Sequence, residues 1–539
     1  MTQAQPRSPI AGRVRGLRPS LSQLVLGLLL GLYLVISLSH LAAVPPVYED
    51  EPWQASTGWK LATEGVFGSD LFAGYHGMER HYYGFMPVHP LLLAATFRLA
   101  GLGLLQARIE VVVLGFAVLL LTYGLGRRLF GPRVAELALL FLLVVRLTGL
   151  TRYQVSGIPF LDLARIARYD MAVPVFGLAA LHLFHSASQH NGRLPILLTG
   201  IMTGLAGLSH LYGLFWLPLL VVLAVWNKLT RRQLAALILG FLLPWLAYFA
   251  YVTGGFEDWL GQTQLYAARF DLTSPSWYLA NLLRELRRYG PGLGPPSWSY
   301  LLRPGFWSAL ILVPAAAISL AVRTRRYTDR AARMVLVPLV GFPALFALLL
   351  HLKLVNYTLT VLPIGALAAA WGATSAYRWA GTHRHRILLR SGLLAVLLVV
   401  CLEGASRIAV LQSAGARTTP YAHFIQQVGG GIEPGMRVLG LHNYWFGMQH
   451  TEYRSWAVPL LLADQANIPA PVPVSDSLMS FDPEVILIDV RMRTHLDQNA
   501  VPGSPAAEAL AWMEARGYLL ARVVVDPTYG RMEIYRRGH

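Results

Sequence analysis

Tyr48-Glu49-Asp50-Glu51-Pro52-Trp53 is the stretch on which the reading of this chain turns. Three consecutive carboxylates follow the first long apolar run, Leu21–Ala43, in a chain with only 28 acidic residues among 539. A run of about 23 residues is long enough to cross a bilayer, so the acids fall where it ends. One reading makes them a solvated helix start, with Asp50 as cap and Glu51 favouring the dipole. The other makes them a catalytic carboxylate held at the membrane edge. The remainder of the chain decides between the two.

The composition is that of an integral membrane protein: 55% of residues are hydrophobic and 14% charged, with a mean hydropathy of +0.47. The net charge is +17, but its cations lie in small clusters between apolar runs. That spacing suits cytoplasmic loops and lipid headgroups, not nucleic acid. The single cysteine, Cys401, sits inside an apolar run, which excludes an intrachain disulfide and a thiol-rich metal site. The first run exceeds the apolar core of a cleavable signal and has no Ala-x-Ala-like site, so a retained anchor is expected.

Further apolar runs lie at 106–126, 134–150, 170–186, 195–209, 211–227, 234–253, 306–322, 334–352, 356–377 and 388–409. With the first they predict about eleven spans. Pro90–Leu105 is short and interrupted by Arg98 and glycines, and is expected to lie at the outer interface. Arg7, Arg13, Arg15 and Arg18 precede the first span and place the tail, 1–20, in the cytoplasm. The predicted inner loops are all basic: Arg127, Arg128 and Arg133; Arg193; Lys228, Arg231 and Arg232; Arg323 to Arg333; Arg378, Arg384 and Arg386. An odd count of spans puts the C-terminus outside. This parity depends on 195–209 and 211–227 being two helices, broken at Ser209-His210.

Three predicted outer segments remain: 44–105, 151–169 and 254–305. The first holds six acids and His76, His81 and His89. The third carries Arg269, Arg284, Arg287, Arg288 and Arg303 among tryptophans and tyrosines. Arginines on the outer side run against the orientation statistics. They either touch lipid headgroups from an interfacial helix or serve a site. Beyond 410 the composition becomes that of a soluble unit, 411–539. Val438–Leu441 and Val485–Asp489 read as buried strands, Pro505–Arg516 as a helix stopped by Gly517, and Arg522–Asp526 with Arg531–Arg536 as a hairpin. The expected fold is therefore an α-helical polytopic membrane protein with a small extracytoplasmic α/β domain.

Four features converge on the predicted outer face. They are Asp50-Glu51 with Trp53; Arg165, Arg168 and Asp170; the basic aromatic loop with Arg269; and His351, Lys353, Asn356 and Tyr357. Charges at a bilayer boundary are costly, so each is a functional candidate. Asp170 pairing with Arg168 to pin the loop, Lys353 snorkelling at a helix end and His210 serving as a turn residue are the structural alternatives. Carboxylates and cations at one membrane face suit transfer from a lipid-borne phosphate. A carboxylate takes the proton of an incoming hydroxyl, and cations hold the phosphate that departs.

At these residues the chain resembles the GT-C membrane glycosyltransferases, in particular bacterial relatives of protein O-mannosyltransferases and of the aminoarabinose transferase acting on lipid A. Asp50-Glu51 after the first span carries the resemblance. So do the proline-containing stretch Tyr83–Leu93, the Arg-Tyr-Asp-Met stretch at 168–171, and the segment from Leu352 to Pro363 with its Lys353-x-x-x-Tyr357 spacing. The likeness covers roughly 20–410. It implies many helices, an extracytoplasmic active site and a polyprenyl-phosphate sugar donor. It also implies Asp50 as the catalytic acid of the first loop with Glu51 as companion, and Lys353 and Tyr357 near the lipid phosphate. Arg165, Arg168 and Arg269 complete the expected phosphate-binding set, and Asp170 is the second outer-loop acid.

Asp50, Glu51, His76, His81, His89 and Asp170 could supply metal ligands, but no close-spaced ligand motif is present, and no cofactor is expected to be required. The expected partners are a polyprenyl-phosphate-linked sugar, an extracytoplasmic acceptor and membrane lipid. A flippase of lipid-linked intermediates is the competing reading; it calls for paired halves and midplane sites, whereas here the halves differ and the charges gather at one face.

Overall fold

A computed structural model describes residues 20–190, 192–267, 269–289, 303–327, 329–464 and 470–538. The N-terminal arginines and residues 290–302 of the third outer segment lie outside the described residues.

All eleven apolar runs are helical, because a backbone in hydrocarbon must satisfy its own hydrogen bonds. The helices are Leu21–Leu38, Leu104–Phe130, Pro132–Val144, Ala172–His190, Arg193–Ser209, Trp216–Trp226, Arg231–Thr253, Pro304–Tyr327, Arg330–Leu349, Leu362–Ala380 and Arg386–Arg417. Seven spans among the described residues are long and apolar enough to cross a membrane by length and composition alone. The chain is a multi-pass membrane protein. Four runs are shorter as helices than as sequence. The first stops at Leu38, and 134–150 stops at Val144, where the chain turns extended at Val145. The 211–227 run begins with the 3-10 turn Leu211–Phe215 before Trp216 starts the helix. The 356–377 run opens as a 3-10 turn, Val355–Thr360, before Leu362 starts the helix.

The 195–209 and 211–227 runs are two helices. His210 is extended between them, and its Nδ1 accepts from the Tyr212 N–H at 3.2 Å. Arg193–Ser209 packs closely on Arg231–Thr253 because glycines face each other. A Cβ on Gly200 would lie 2.1 Å from the Leu237 carbonyl oxygen, and one on Gly240 2.1 Å from that of Leu197. Small residues at such crossings let membrane helices approach.

The basic loops meet at one end of the bundle. Arg330 donates to the Ser188 carbonyl at 3.1 Å and Arg333 to that of Trp226 at 3.0 Å. The acidic first segment, 159–171, His210 and Lys353 gather at the other end. There Asp50–Glu64 forms a helix, and Val88–Ala100 packs across it through Gly58, whose Cβ would come 2.8 Å from Leu93 Cβ.

The last membrane helix runs to Arg417, and the α/β unit follows. Its five strands are β1 (Arg437–Gly440), β2 (Glu452–Ser455), β3 (Val485–Asp489), β4 (Tyr518–Asp526) and β5 (Gly530–Arg537), in the order β2-β1-β3-β5-β4. β1 is parallel to β2 and β3; β5 is antiparallel to β3 and β4. One face is closed by helices through Ile486, Ile488, Leu478, Leu496 and Trp512. The other, with Val438, Leu487 and Ile534, belongs to a core continuous with Val47, Phe72 and the membrane helices. The soluble unit is therefore seated on the first outer segment, not tethered beside it.

Candidate active site

The Asp50–Glu64 helix is fixed at its first turn by Glu51. That carboxylate accepts from the Tyr48 N–H at 2.7 Å, from the Ala167 N–H at 2.8 Å, and from Arg108 Nε and Nη2 at 2.8 Å each. Both Glu51 and Arg108 are fully buried. Both carboxylate oxygens are engaged, so the companion acid that the resemblance implies holds the helix start that presents Asp50. Arg165 is engaged in the same manner. Its Nε, Nη1 and Nη2 donate to the carbonyls of Ile36, Ser37, Ser39 and Val44. It pins the turn that follows the first membrane helix, and no donor remains for a phosphate.

Arg168, three residues on, faces the acids instead. Its Nη1 lies 3.0 Å from Asp50 Oδ2 and its Nε 2.8 Å from Asp170 Oδ2. Its Nη2 donates to the Tyr169 hydroxyl at 2.9 Å. The guanidinium also lies 4.8 Å from the ring centre of Tyr48 and 5.0 Å from that of Tyr169, within cation–π range. Asp170 Oδ1 accepts from the Tyr212 hydroxyl at 3.2 Å. The Asp50 side chain is 18% exposed, whereas those of Arg168 and Asp170 are 3% exposed. Asp50 is thus the member of the trio that an incoming molecule can touch. Burial pushes its pKa up to about 6; Arg168 opposes the rise, while Glu49, Asp170 and Glu51 add to it. Such a carboxylate is ionised at neutral pH yet more basic than a free aspartate.

An aromatic patch connects this trio to the late segment. The His210 ring lies 4.7 Å from Tyr169, 4.3 Å from Tyr212 and 5.1 Å from Tyr357. Burial, with Arg168 adding, lowers the His210 pKa to about 3, so the imidazole is neutral. Tyr357 also stacks near Tyr212 at 4.8 Å. Beyond it, Lys353 Nζ is 2.7 Å from Glu285 Oε2, and Arg288 Nε is 2.7 Å from Glu285 Oε1. Two cations share one carboxylate, which leaves a positive charge in excess. Burial pulls the Lys353 pKa down, and the Glu285 hydrogen bond and charge counter that. Arg269 is exposed and lies 5.0 Å from the centre of the Tyr266 ring.

The histidines of the first segment do not join Asp50. His81 Nδ1 is 2.9 Å from Asp258 Oδ2, His76 Nε2 is 3.2 Å from Gln264 Nε2, and His89 Nδ1 is 3.4 Å from Glu110 Oε2. Among the described residues no three or more His, Cys, Asp or Glu side chains converge. Between Asp50 and Asp170 the cation present is the Arg168 guanidinium.

Arg288 also lines a cavity of about 1290 Å³ between the helices Pro132–Val144, Pro304–Tyr327, Leu362–Ala380 and Arg386–Arg417. Its walls are overwhelmingly apolar. Arg288 and Thr358 stand at one end, Arg133 and Arg378 at the other.

The helices packed in this order, with an acid helix after the first span and a small α/β unit seated on it, share their fold with the following solved structures. ArnT from Cupriavidus metallidurans, solved with undecaprenyl phosphate, is similar at 17% identity and a TM-score of 0.55, over 95% of this chain and 97% of that one. The oligosaccharyltransferase of Archaeoglobus fulgidus is similar in its apo form at 13% identity and a TM-score of 0.57, over 96% of this chain and 74% of that one. The archaeal enzyme with an inhibitory peptide and a dolichol-phosphate gives 12% identity and 0.56, over the same shares. No family model and no curated protein matches the chain.

Proposed function

We propose that this protein is a glycosyltransferase that moves a hexosyl or pentosyl group from a polyprenyl-phosphate donor to an acceptor hydroxyl on the extracytoplasmic side, with inversion. The observation that carries the reading is the placement of Asp50. It is a partly exposed carboxylate, braced by Arg168, at the head of a helix that Glu51 and Arg108 hold rigid. The fold supports it. So does the company of its neighbours, one solved with undecaprenyl phosphate and another with a dolichol-phosphate.

In this mechanism Asp50 takes the acceptor proton as the acceptor oxygen bonds to the anomeric carbon. The bond from that carbon to the phosphate oxygen breaks, and its electron pair leaves on the lipid phosphate. Attack from the face opposite the phosphate inverts the centre. Lys353, with the excess charge it shares with Arg288, binds the phosphate; Tyr357 lies beside it and Arg269 covers it from the rim. Arg168 and Asp170 position Asp50. The apolar cavity below Arg288 takes the isoprenoid tail. The charge bias of the basic loops supports a cytoplasmic position for them, with the Asp50 end and the α/β unit outside.

Asp50→Asn tests the reading. Membranes from cells whose polyprenyl-linked sugars are radiolabelled should lose roughly 10²–10⁴-fold of the transfer rate, the range for removing an acid–base group. Turnover near the wild-type rate would remove Asp50 from the chemistry.

A further inference from the structure

The strand order β2-β1-β3 places a topological switch between β1 and β3, where chain connections leave the sheet in opposite directions. In open sheets of this type ligands bind in the crevice outside the carboxyl ends of the strands at that point. Here those ends are Gly440 and Asp489, followed by His442–Tyr444 and by Arg491. The Tyr444 hydroxyl donates to Asp489 Oδ2 at 2.7 Å, which ties the two ends together.

This edge does not face water. It is turned onto the helix that begins with Asp50. Asn443 Nδ2 donates to the Val47 carbonyl at 3.1 Å, one residue before Tyr48. The His442 ring lies 5.7 Å from Trp53, one helical turn beyond Asp50, and 5.9 Å from Phe72. His442 Nδ1 pairs with Ser455 Oγ at 3.1 Å, at the end of β2. His442 is 8% exposed, and its Nε2 has no hydrogen-bond partner; Trp53 Nε1 has none either. Buried polar atoms are rarely left so, and each calls for an explanation.

Arg491 stands at the open side. It is exposed and 3.5 Å from Asp489 Oδ2. Tyr153 packs edge-on against Tyr48 at 4.7 Å, and Tyr48 underlies Arg168, so the Tyr48 and Tyr153 rings lie next to the arginine that braces the acid.

We propose that this edge of the soluble unit is the acceptor-binding half of the site, with His442 and Arg491 holding a polyhydroxylated acceptor so that one hydroxyl reaches Asp50. The proposal rests on the glycosyltransferase reading. Indole and phenol rings with unpaired N–H and imidazole nitrogen suit the C–H faces and hydroxyls of a sugar. An apolar acceptor would leave those polar groups unpaired.

The test uses full-length protein in membranes whose polyprenyl-linked sugars are radiolabelled. Label passing to acceptor, label released to water and binding of undecaprenyl phosphate are measured in parallel. Arg491→Ala, on the surface, and His442→Ala should each cut transfer about tenfold or more, with water release and undecaprenyl-phosphate binding unchanged. His442→Gln should restore part of the transfer. The transferred label should reside on carbohydrate and resist protease. Transfer within about twofold of wild type in Arg491→Ala and His442→Ala would overturn the proposal, as would parallel loss of transfer and lipid binding, or label residing in protein. If wild-type membranes transfer no label, the glycosyltransferase reading itself falls, a result distinct from these.

Discussion

Arg168 Nη1 lies 3.0 Å from Asp50 Oδ2 while its Nε lies 2.8 Å from Asp170 Oδ2. One guanidinium therefore joins two acids that lie 120 residues apart in the chain. The arginine's charge is shared between both carboxyl groups, and because Asp170 is also held by Tyr212, the geometry leaves Asp50 as the acid that can change partners.

This relationship sets a pH dependence. A general base works ionised, and burial holds Asp50 at about 6. The transfer rate should therefore fall as pH drops through about 6 and level off above it. Arg168 lowers that pKa, so Arg168→Gln should move the acid limb to higher pH besides slowing the reaction. Rate–pH profiles of both proteins check this. An acid limb that stays in place in Arg168→Gln would detach Arg168 from Asp50.

Glu51 and Arg108 are expected to act on stability. Each is fully buried, and the pair is bidentate. Removing one partner leaves an uncompensated buried charge, which costs about 3–5 kcal/mol. Glu51→Gln and Arg108→Met should each lower the Tm of the detergent-solubilised protein markedly. The double variant Glu51→Leu/Arg108→Met should lose less than the sum, because no charge is then stranded. Equal additive losses would show that the pairing itself contributes little.

The contrast between Arg165 and Arg168 shows what sequence can and cannot carry. The two stand three apart in the same segment, and nothing in their spacing separates them. Their fates depend on residues 36–44, whose carbonyls capture Arg165; no motif announces that capture. The partner of Glu51 is out of view for the same reason, since Arg108 is 57 residues away and enters a membrane helix. The helices were legible because a bilayer demands long apolar runs, and the grouping of acids with Arg168 was legible because charge at a membrane edge is costly. Glu285 was hidden among three arginines, Arg284, Arg287 and Arg288. β2, only four residues with alternating exposure, gave too little periodicity to be read as a strand. Apolar runs also overstate helix length where they continue into partly buried loop, as at 145–149.

Lys353 should matter for the donor beyond its part in the fold. Its ammonium pairs with Glu285 and donates to the carbonyls of Phe346 and Ala347, and with Arg288 it leaves one positive charge to spare. A charge-assisted contact to phosphate contributes about 1.5–3 kcal/mol. Lys353→Ala should weaken undecaprenyl-phosphate binding roughly 10–100-fold, read by titration in detergent. Affinity equal to wild type would remove Lys353 from the phosphate site.

The cavity makes its own prediction through Gly365. This residue lines the space below Arg288, and a Cβ built on it would meet nothing within 4 Å. A leucine there extends into the void without striking a neighbour. It also replaces glycine inside the Leu362–Ala380 helix, where glycine costs about 1 kcal/mol relative to good helix formers. Gly365→Leu should therefore hold or raise the Tm while it narrows the cavity. If the isoprenoid tail lies there, affinity for undecaprenyl phosphate should drop, whereas a short-chain analogue such as geranyl phosphate, bound chiefly through its phosphate, should be affected much less. Unchanged undecaprenyl-phosphate affinity in a stable Gly365→Leu protein would place the tail elsewhere on the bundle.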